Sequence, residues 1–190
     1  MNLITSGPEH VSSYGQDVST ITVGGAPSGS TVETAIHRFT ISGRTQNYDG
    51  SFRLTSYGSY QNTTANGRNF TLRIRATTVG GAATSGTIMY SATHSPPAGS
   101  TERDVEMHWL FNNNASQTSQ GSLGSSRVAS LDTAGGVGSD IQANEDFFAH
   151  DHTSSVNTAA DWDLVVTCQH SFASASISFF GNIAFLELIS

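Results

Sequence analysis

The segment Trp162-Asp163-Leu164-Val165-Val166-Thr167-Cys168-Gln169-His170 carries apolar residues on both faces of an extended strand. Leu164, Val166 and Cys168 share one face, because successive side chains of a strand point in opposite directions. The opposite face is also fairly apolar, since it contains Val165 followed by uncharged side chains. We therefore predict a strand that is covered on both sides, as in the interior of a layered β-structure.

Other segments show the two-residue period of strands that bury one face. In the segment 69–77 the apolar face comprises Phe70, Leu72, Ile74 and Ala76. In the segment 104–112 it comprises Val105, Met107, Trp109 and Phe111, with charged residues on the opposite face. Glycine-rich tracts separate such segments, and glycine costs a helix about 1 kcal/mol relative to alanine. The sequence therefore predicts an all-β, antiparallel β-sandwich.

The charge composition argues against two classes of partner. Charged residues make up 12% of the chain, the eight basic residues are all arginine, and the formal net charge is -7. An acidic chain without lysine is a poor partner for nucleic acid or a membrane surface, because phosphate binding needs clustered positive charge. Arginine without lysine favours a surface that partner proteins cover, although genomic codon bias accounts for it equally well.

The first 32 residues differ in composition from the rest. They contain one short apolar stretch and end in a tract of glycine, serine and proline. We predict an N-terminal arm over 1–32 and a sandwich domain over 33–190. Within the arm, Val18, Ile21 and Val23 are the candidate contacts with another protein or subunit. The N-terminus also lacks the basic region and apolar run that a secretory signal needs.

Two histidines are the best candidates for a metal site. His150 and His152 would share one face of an extended strand, and His94, His108 or His170 would have to supply a third ligand. The alternative is a polar loop between strands, and we favour it. We therefore expect neither a metal nor another cofactor.

Signals for catalysis are weak. Gly121-Ser122-Leu123-Gly124 falls one residue short of a nucleophile elbow, and no strand-to-helix unit surrounds it. Asp161 and Asp163 are neighbouring acids, but a glycosidase needs two carboxylates at a defined separation in a cleft. We expect no enzymatic activity.

Aromatic residues suggest one alternative function. Tyr57 and Tyr60 form a cluster that we expect to be exposed and able to stack on a sugar ring. Phe52 and Trp109 fall on the apolar faces of their strands and are expected to lie in the core. A glycan is therefore retained as a candidate ligand.

The order of the strand-like segments resembles a known structural group. The relevant segments are Phe39-Thr40-Ile41-Ser42-Gly43, Phe70-Thr71-Leu72-Arg73-Ile74-Arg75, Met107-His108-Trp109-Leu110-Phe111, Trp162 to Gln169, Ser174-Ala175-Ser176-Ile177-Ser178 and Ala184-Phe185-Leu186-Glu187-Leu188-Ile189. Over residues 33–190 this order is similar to the jelly-roll domains of small structural proteins of tailed bacteriophages, which include capsid cement (decoration) proteins and tail-associated fibres.

This resemblance implies an antiparallel jelly-roll β-sandwich with an extended N-terminal arm. It implies a homotrimer on the outer capsid surface of a virion, made in the host cytoplasm, with the major capsid protein and its own copies as partners. It supplies no catalytic residue. Two other readings remain open, namely a tail or fibre protein that binds host glycan and a cellular carbohydrate-binding or enzymatic β-sandwich.

Overall fold

A computed structural model describes residues 12–17, 30–44, 50–96, 99–113, 116, 118–128 and 155–189. These residues form nine strands and one short 3-10 turn at Ala83–Ser85. The strands are β1 (Ser12–Asp17), β2 (Thr34–Ile41), β3 (Ser51–Asn62), β4 (Phe70–Thr78), β5 (Thr87–His94), β6 (Gly99–Asn112), β7 (Gly121–Val128), β8 (Trp162–His170) and β9 (Ile177–Ile189). The predicted all-β class is confirmed.

The strands form two antiparallel sheets. The five-stranded sheet has the order β1-β9-β3-β6-β7, and the four-stranded sheet has the order β2-β8-β4-β5. Four strand pairs are nested in the sequence, as in one long hairpin rolled into two layers. They are β1 with β9, β2 with β8, β3 with β6, and β4 with β5. The predicted β-sandwich is thus confirmed. The nested pairing is compatible with a jelly roll, to which β7 is an addition.

Part of the predicted N-terminal arm lies within the sandwich. Residues 12–17 form β1, which pairs with β9 of the same chain from Ser12 opposite Leu188 to Asp17 opposite Ala184. The candidate contact residues Val18, Ile21 and Val23 fall outside the described residues. Their predicted role as contacts with another subunit remains a prediction.

The core lies between the inner faces of the two sheets. Tyr60 of β3 stacks on Phe70 of β4 with 4.6 Å between ring centroids, which joins one sheet to the other. Trp109 stacks on Phe111 at 5.2 Å within the five-stranded sheet. Trp109 and Phe52 are fully buried, as predicted from the phase of their strands. The hydrophobic effect favours this burial by about 25 cal/mol for each Å² of apolar surface removed from water.

Strand β8 is covered on both faces, as predicted. Its inner face carries Leu164, while Val165 and Thr167 on the outer face are also 0% exposed. The outer cover consists of charged side chains. Glu33 accepts hydrogen bonds from Arg75 at 2.6 and 2.8 Å and from Thr167 at 2.5 Å. This covering set, which also includes Arg73, Arg38 and Asp163, is called the outer charge network below.

Direct hydrogen bonds join the two sheets where β5 approaches β7. The Tyr90 hydroxyl lies 2.8 Å from Ser126 Oγ, and His94 Nε2 lies 2.8 Å from the same oxygen. Ser122 Oγ donates to the Met89 carbonyl at 2.8 Å. Gly124 allows this approach, because a Cβ there would lie 2.5 Å from the Tyr90 ring. The serine at the incomplete elbow thus contributes to packing between the sheets.

Candidate functional site: the outer face of the five-stranded sheet

An exposed apolar strip lies on the outer face of the five-stranded sheet. Trp109 and Phe111 of β6 point into the core, so Leu110 between them points outward. Leu110 is 40% exposed, and its cross-strand partner Leu123 on β7 is 47% exposed. Ile189 at the end of β9 is 37% exposed on the same face. We call Leu110, Leu123 and Ile189 the apolar strip.

Polar side chains border the apolar strip. Arg53 of β3 lies opposite Leu110 in the strand register and donates to Glu187 at 2.6 Å. Together with His108 and Ser125, Arg53 and the apolar strip line a shallow groove of about 380 Å³. An apolar floor with a charged border is the anatomy of many protein interfaces, whose centres are depleted of charge and whose rims are polar.

A second charged group lies beside the groove. Glu106 accepts hydrogen bonds from Arg127 Nε at 2.7 Å and from His108 Nε2 at 2.8 Å. Burial raises the pKa of Glu106, but the hydrogen bond from His108 and the charge of Arg127 outweigh it, so this pKa lies below its ordinary value. The acid is therefore ionised at neutral pH and holds Arg127 across the β6–β7 pair.

The two tyrosines proposed as an aromatic patch lie on opposite faces of the sheet. Tyr57 is 39% exposed on the outer face, opposite Glu106. Tyr60 is 0% exposed, and its hydroxyl donates to the Arg68 carbonyl at 2.9 Å. Burial raises the pKa of Tyr60 to about 12. The prediction that Tyr60 is exposed is wrong, because residues three apart on a continuous strand project to opposite sides.

The candidate metal ligands are dispersed. His94 and His170 lie buried on inner faces, whereas His108 lies on the outer face of the five-stranded sheet. His150 and His152 lie outside the described residues. In the part of the chain that the structure describes, no three histidine, cysteine or acidic side chains come together as a metal site.

The neighbouring acids Asp161 and Asp163 have separate hydrogen-bond partners. Asp163 is 1% exposed and accepts hydrogen bonds from Arg38 at 2.5 Å, Thr40 at 2.8 Å and the Gly80 amide at 2.8 Å. Burial raises the pKa of Asp163, but these hydrogen bonds and the charge of Arg38 bring it below its ordinary value. Asp161 instead accepts from the Gly43 amide at 2.7 Å. Asp163 therefore belongs to the outer charge network.

His170 is a buried histidine at the end of β8. It is 1% exposed, and neither ring nitrogen has a hydrogen bond among the described residues. Its ring lies 6.0 Å from that of Tyr60. Burial lowers the pKa of His170 to about 4, so the ring is neutral at physiological pH. Because burial disfavours the charged form of the ring, protonation of His170 opposes folding.

Sequence reasoning missed the apolar strip, although one signal was present. In the segment 104–112 the outward positions carry Asp104, Glu106 and His108, and the next outward position carries Leu110. A leucine in the polar phase of an otherwise regular strand marks an exposed apolar side chain.

The comparisons with known proteins identify no family. No protein-family model matches the chain, and no curated protein matches its sequence. One similar solved structure is the CBM2 module of the evolved Dit of Lactobacillus casei BL23 phage J-1, with 13% identity and a TM-score of 0.35, over 80% of this chain and 68% of that one. Another is infectious bursal disease virus, Gx strain, with 13% identity and a TM-score of 0.31, over 94% of this chain and 40% of that one.

Both matched structures come from viruses. At these identities and TM-scores neither likeness carries an argument about function. Within the described ranges, the chain contains no helix that is long and apolar enough to span a bilayer.

Proposed function

We propose that this chain is a non-enzymatic structural protein of a virus particle that contacts neighbouring proteins through the apolar strip. The observation that carries the proposal is the exposure of Leu110 and Leu123, which lie side by side next to the pairs Arg53–Glu187 and Arg127–Glu106. Burying two such leucines and Ile189 against a partner removes apolar surface from water, which is the main driving force of protein association.

Within that proposal, the specific role is a capsid cement or decoration protein. The support is the resemblance of residues 33–190 to jelly-roll proteins of tailed phages, together with the nested strand pairing. The same resemblance implies a homotrimer on the outer capsid surface, with the major capsid protein as partner. A protein that binds the assembled shell and not its free subunits stabilises the shell by mass action.

The polar side chains of the sandwich support a role without catalysis. Among the described residues, the serine–histidine hydrogen bond with the geometry of a nucleophile and base joins Ser126 to His94. These residues are 4% and 1% exposed, so a substrate has no access to the hydroxyl. The contact instead holds β5 against β7.

A second candidate is a tail or fibre protein that binds host glycan. The observation in its favour is Tyr57, whose ring is partly exposed on the same face as the apolar strip. Because Tyr60 is buried, Tyr57 is the one of the two proposed tyrosines whose ring is accessible for stacking on a sugar. A face with one ring and two leucines suits a protein partner better than a sugar.

The test combines light scattering with co-sedimentation on empty heads of the virus that encodes the chain. We expect a mass of about 60 kDa, three times the 20.0 kDa chain, and sedimentation with the heads. Leu123→Asp, which puts a charge into the apolar strip, should stay folded by circular dichroism and no longer sediment with the heads. The matched control is Ile88→Asp, since Ile88 is similarly exposed at 37% but lies on the four-stranded sheet.

Two outcomes would overturn the proposal. One is a parent protein that stays monomeric and ignores the heads. The other is a Leu123→Asp variant that sediments with the heads as fully as the parent and the Ile88→Asp control.

A further inference from the structure

A second open surface lies at one end of the sandwich, away from the apolar strip. It is a cleft of about 490 Å³ between the loop that joins β4 to β5 and the segment 155–161 that leads into β8. We call this site the end cleft. The lining residues used below are Thr87, Ser155, Val156, Asn157, Ala160, Asp161 and Trp162. A volume of this size lies in the range of small-molecule sites, about 300–1,000 Å³.

The walls of the end cleft are held in place by backbone contacts. Gly86 lies so close to β4 that a Cβ there would meet the Ala76 carbonyl oxygen at 2.3 Å, so a side chain at this position would displace the loop. On the opposite wall, the Gly43 amide donates to Asp161 Oδ1 at 2.7 Å, and the Arg44 amide donates to the Thr158 carbonyl at 2.9 Å. The two walls are therefore positioned before any ligand arrives.

The end cleft offers hydrogen-bonding groups that the described part of the chain leaves unused. Asp161 uses Oδ1 for the Gly43 amide, which leaves its Oδ2 as an acceptor. Asn157 uses Oδ1 for the Ala159 amide at 3.1 Å, which leaves its side-chain NH2 as a donor. The hydroxyls of Thr87 and Ser155 make no side-chain hydrogen bond to described residues, and each can donate or accept.

An indole and small apolar side chains complete the lining. Trp162 is 4% exposed, and its ring lies 6.3 Å from Phe52 and 5.8 Å from Phe111. Its Nε1 has no hydrogen-bond partner among the described residues. Val156 and Ala160 contribute apolar surface beside it. The lining thus alternates polar groups with apolar surface.

We propose that the end cleft binds a neutral saccharide. Hydroxyls, an amide and one carboxylate match the many hydroxyl groups of a sugar, while the apolar wall suits its C–H faces. An anion is disfavoured, because the described lining contains one carboxylate and no arginine. The whole chain also has a formal net charge of -7, which repels anions. A divalent cation is disfavoured as well, since Asp161 is the only acidic residue of the described lining.

This inference goes beyond the proposed structural role and does not depend on it, because the end cleft shares no residue with the apolar strip. Substitutions in the end cleft should therefore weaken saccharide binding without affecting head binding, and substitutions in the apolar strip should do the reverse. Loss of head binding in Leu123→Asp should leave saccharide binding unchanged.

The test titrates the full chain with a panel of glucose, galactose, mannose, N-acetylglucosamine, lactose and maltose. Trp162 and Trp109 are the two tryptophans of the chain, so Trp109→Phe makes the fluorescence specific to the end cleft. We expect a saturable change with at least one sugar. Isothermal titration calorimetry on the parent provides the same measurement without that substitution.

Two variants and one control locate the binding. Asp161→Asn keeps an acceptor for the Gly43 amide but loses the carboxylate, and we expect about tenfold weaker binding. Thr87→Val removes a hydroxyl at nearly constant shape, and we expect binding several-fold weaker. The control is Thr93→Val on the same strand, since Thr93 lies outside the end cleft and bonds to Thr71 Oγ1 at 2.9 Å.

The proposal is overturned by any of three results. The first is that no sugar of the panel binds the parent at concentrations on the order of 10 mM. The second is that Asp161→Asn and Thr87→Val bind as tightly as Thr93→Val. The third is that calcium chloride alone gives a saturable response that Asp161→Asn abolishes while the sugars give none.

Discussion

The outer face of the four-stranded sheet and the outer face of the five-stranded sheet both carry paired arginines and acids, but they differ in exposure. In the outer charge network the side chains of Arg73 and Arg75 are 18% and 11% exposed. On the five-stranded sheet the side chains of Arg53 and Arg127 are 50% and 56% exposed, and Leu110 and Leu123 lie uncovered beside them.

The arginine–acid pairs therefore have different roles on the two outer faces. Glu33 joins two arginines and a threonine, and this set shields Val165 of β8 from water. Exposed ion pairs such as Arg53–Glu187 contribute little to stability, with a typical value of about 0–1 kcal/mol. The first face therefore stabilises the sandwich, and the second leaves its apolar residues available to a partner.

The largest effect is expected from Glu33→Ala. It leaves Arg73 and Arg75 without their acid partner in a mostly buried place, which should lower the free energy of unfolding by about 3 kcal/mol. The matched control Glu187→Ala removes an exposed pair and should cost less than about 1 kcal/mol. Urea unfolding of both variants measures the two values, and equal losses would contradict the contrast between the faces.

The acid dependence of stability tests the core between the faces. The unfolded chain binds a proton at His170 below about pH 6.5, whereas the folded chain resists it down to about pH 4. Because the unfolded state then holds more protons, stability should fall as the pH drops through this window, by up to about 3 kcal/mol. His170→Leu should remove most of that slope in urea unfolding at pH 7, 6, 5 and 4.

The acids of the outer charge network act in a lower pH window than His170. The pKa values of Glu33 and Asp163 are lowered in the folded state, so their stabilisation is present above about pH 4.5 and is lost below it. For Glu33, burial raises the pKa, but hydrogen bonds from Arg75 and Thr167 and the charges of both arginines outweigh it. If the free energy of unfolding of His170→Leu still falls as the pH drops from 6.5 to 5, another titrating group is responsible.

The smallest effect is expected from Leu123→Ala. Its side chain is nearly half exposed, so truncation should change the free energy of unfolding by no more than about 0.5 kcal/mol. Val165→Ala is the counterpart on the opposite outer face, where the side chain is 0% exposed, and it should cost about 1–2 kcal/mol. A large loss for Leu123→Ala would mean that the apolar strip supports the fold and would weaken its assignment as a binding surface.

Much of the fold was predictable from local pattern. The two-sided apolar character of 162–170 predicted the buried strand β8, and the alternation in 104–112 placed Trp109 and Phe111 in the core. The same alternation already marked Leu110 as outward. The site was harder to predict, because the neighbour that makes Leu110 part of a strip is Leu123, and that pairing depends on the register of β6 with β7.

The error at Tyr60 has a physical origin. Tyr57 and Tyr60 were expected at the surface together, as one exposed aromatic cluster. In the structure β3 runs unbroken through these residues, because Gly58 fits where a Cβ would meet the Phe180 carbonyl oxygen at 2.5 Å. The contact that fixes Gly58 is with a residue far along the chain, and no local pattern contains it.

The sequence by itself determined the all-β class, the inward face of each clear strand and the acidic net charge without lysine. These follow from the two-residue period and from composition, both of which are local properties. Only the tertiary structure decided that three arginines cover β8, that Leu110 meets Leu123, and that segment 155–161 forms a cleft with the β4–β5 loop. Each depends on strand order and register, which join residues distant in sequence.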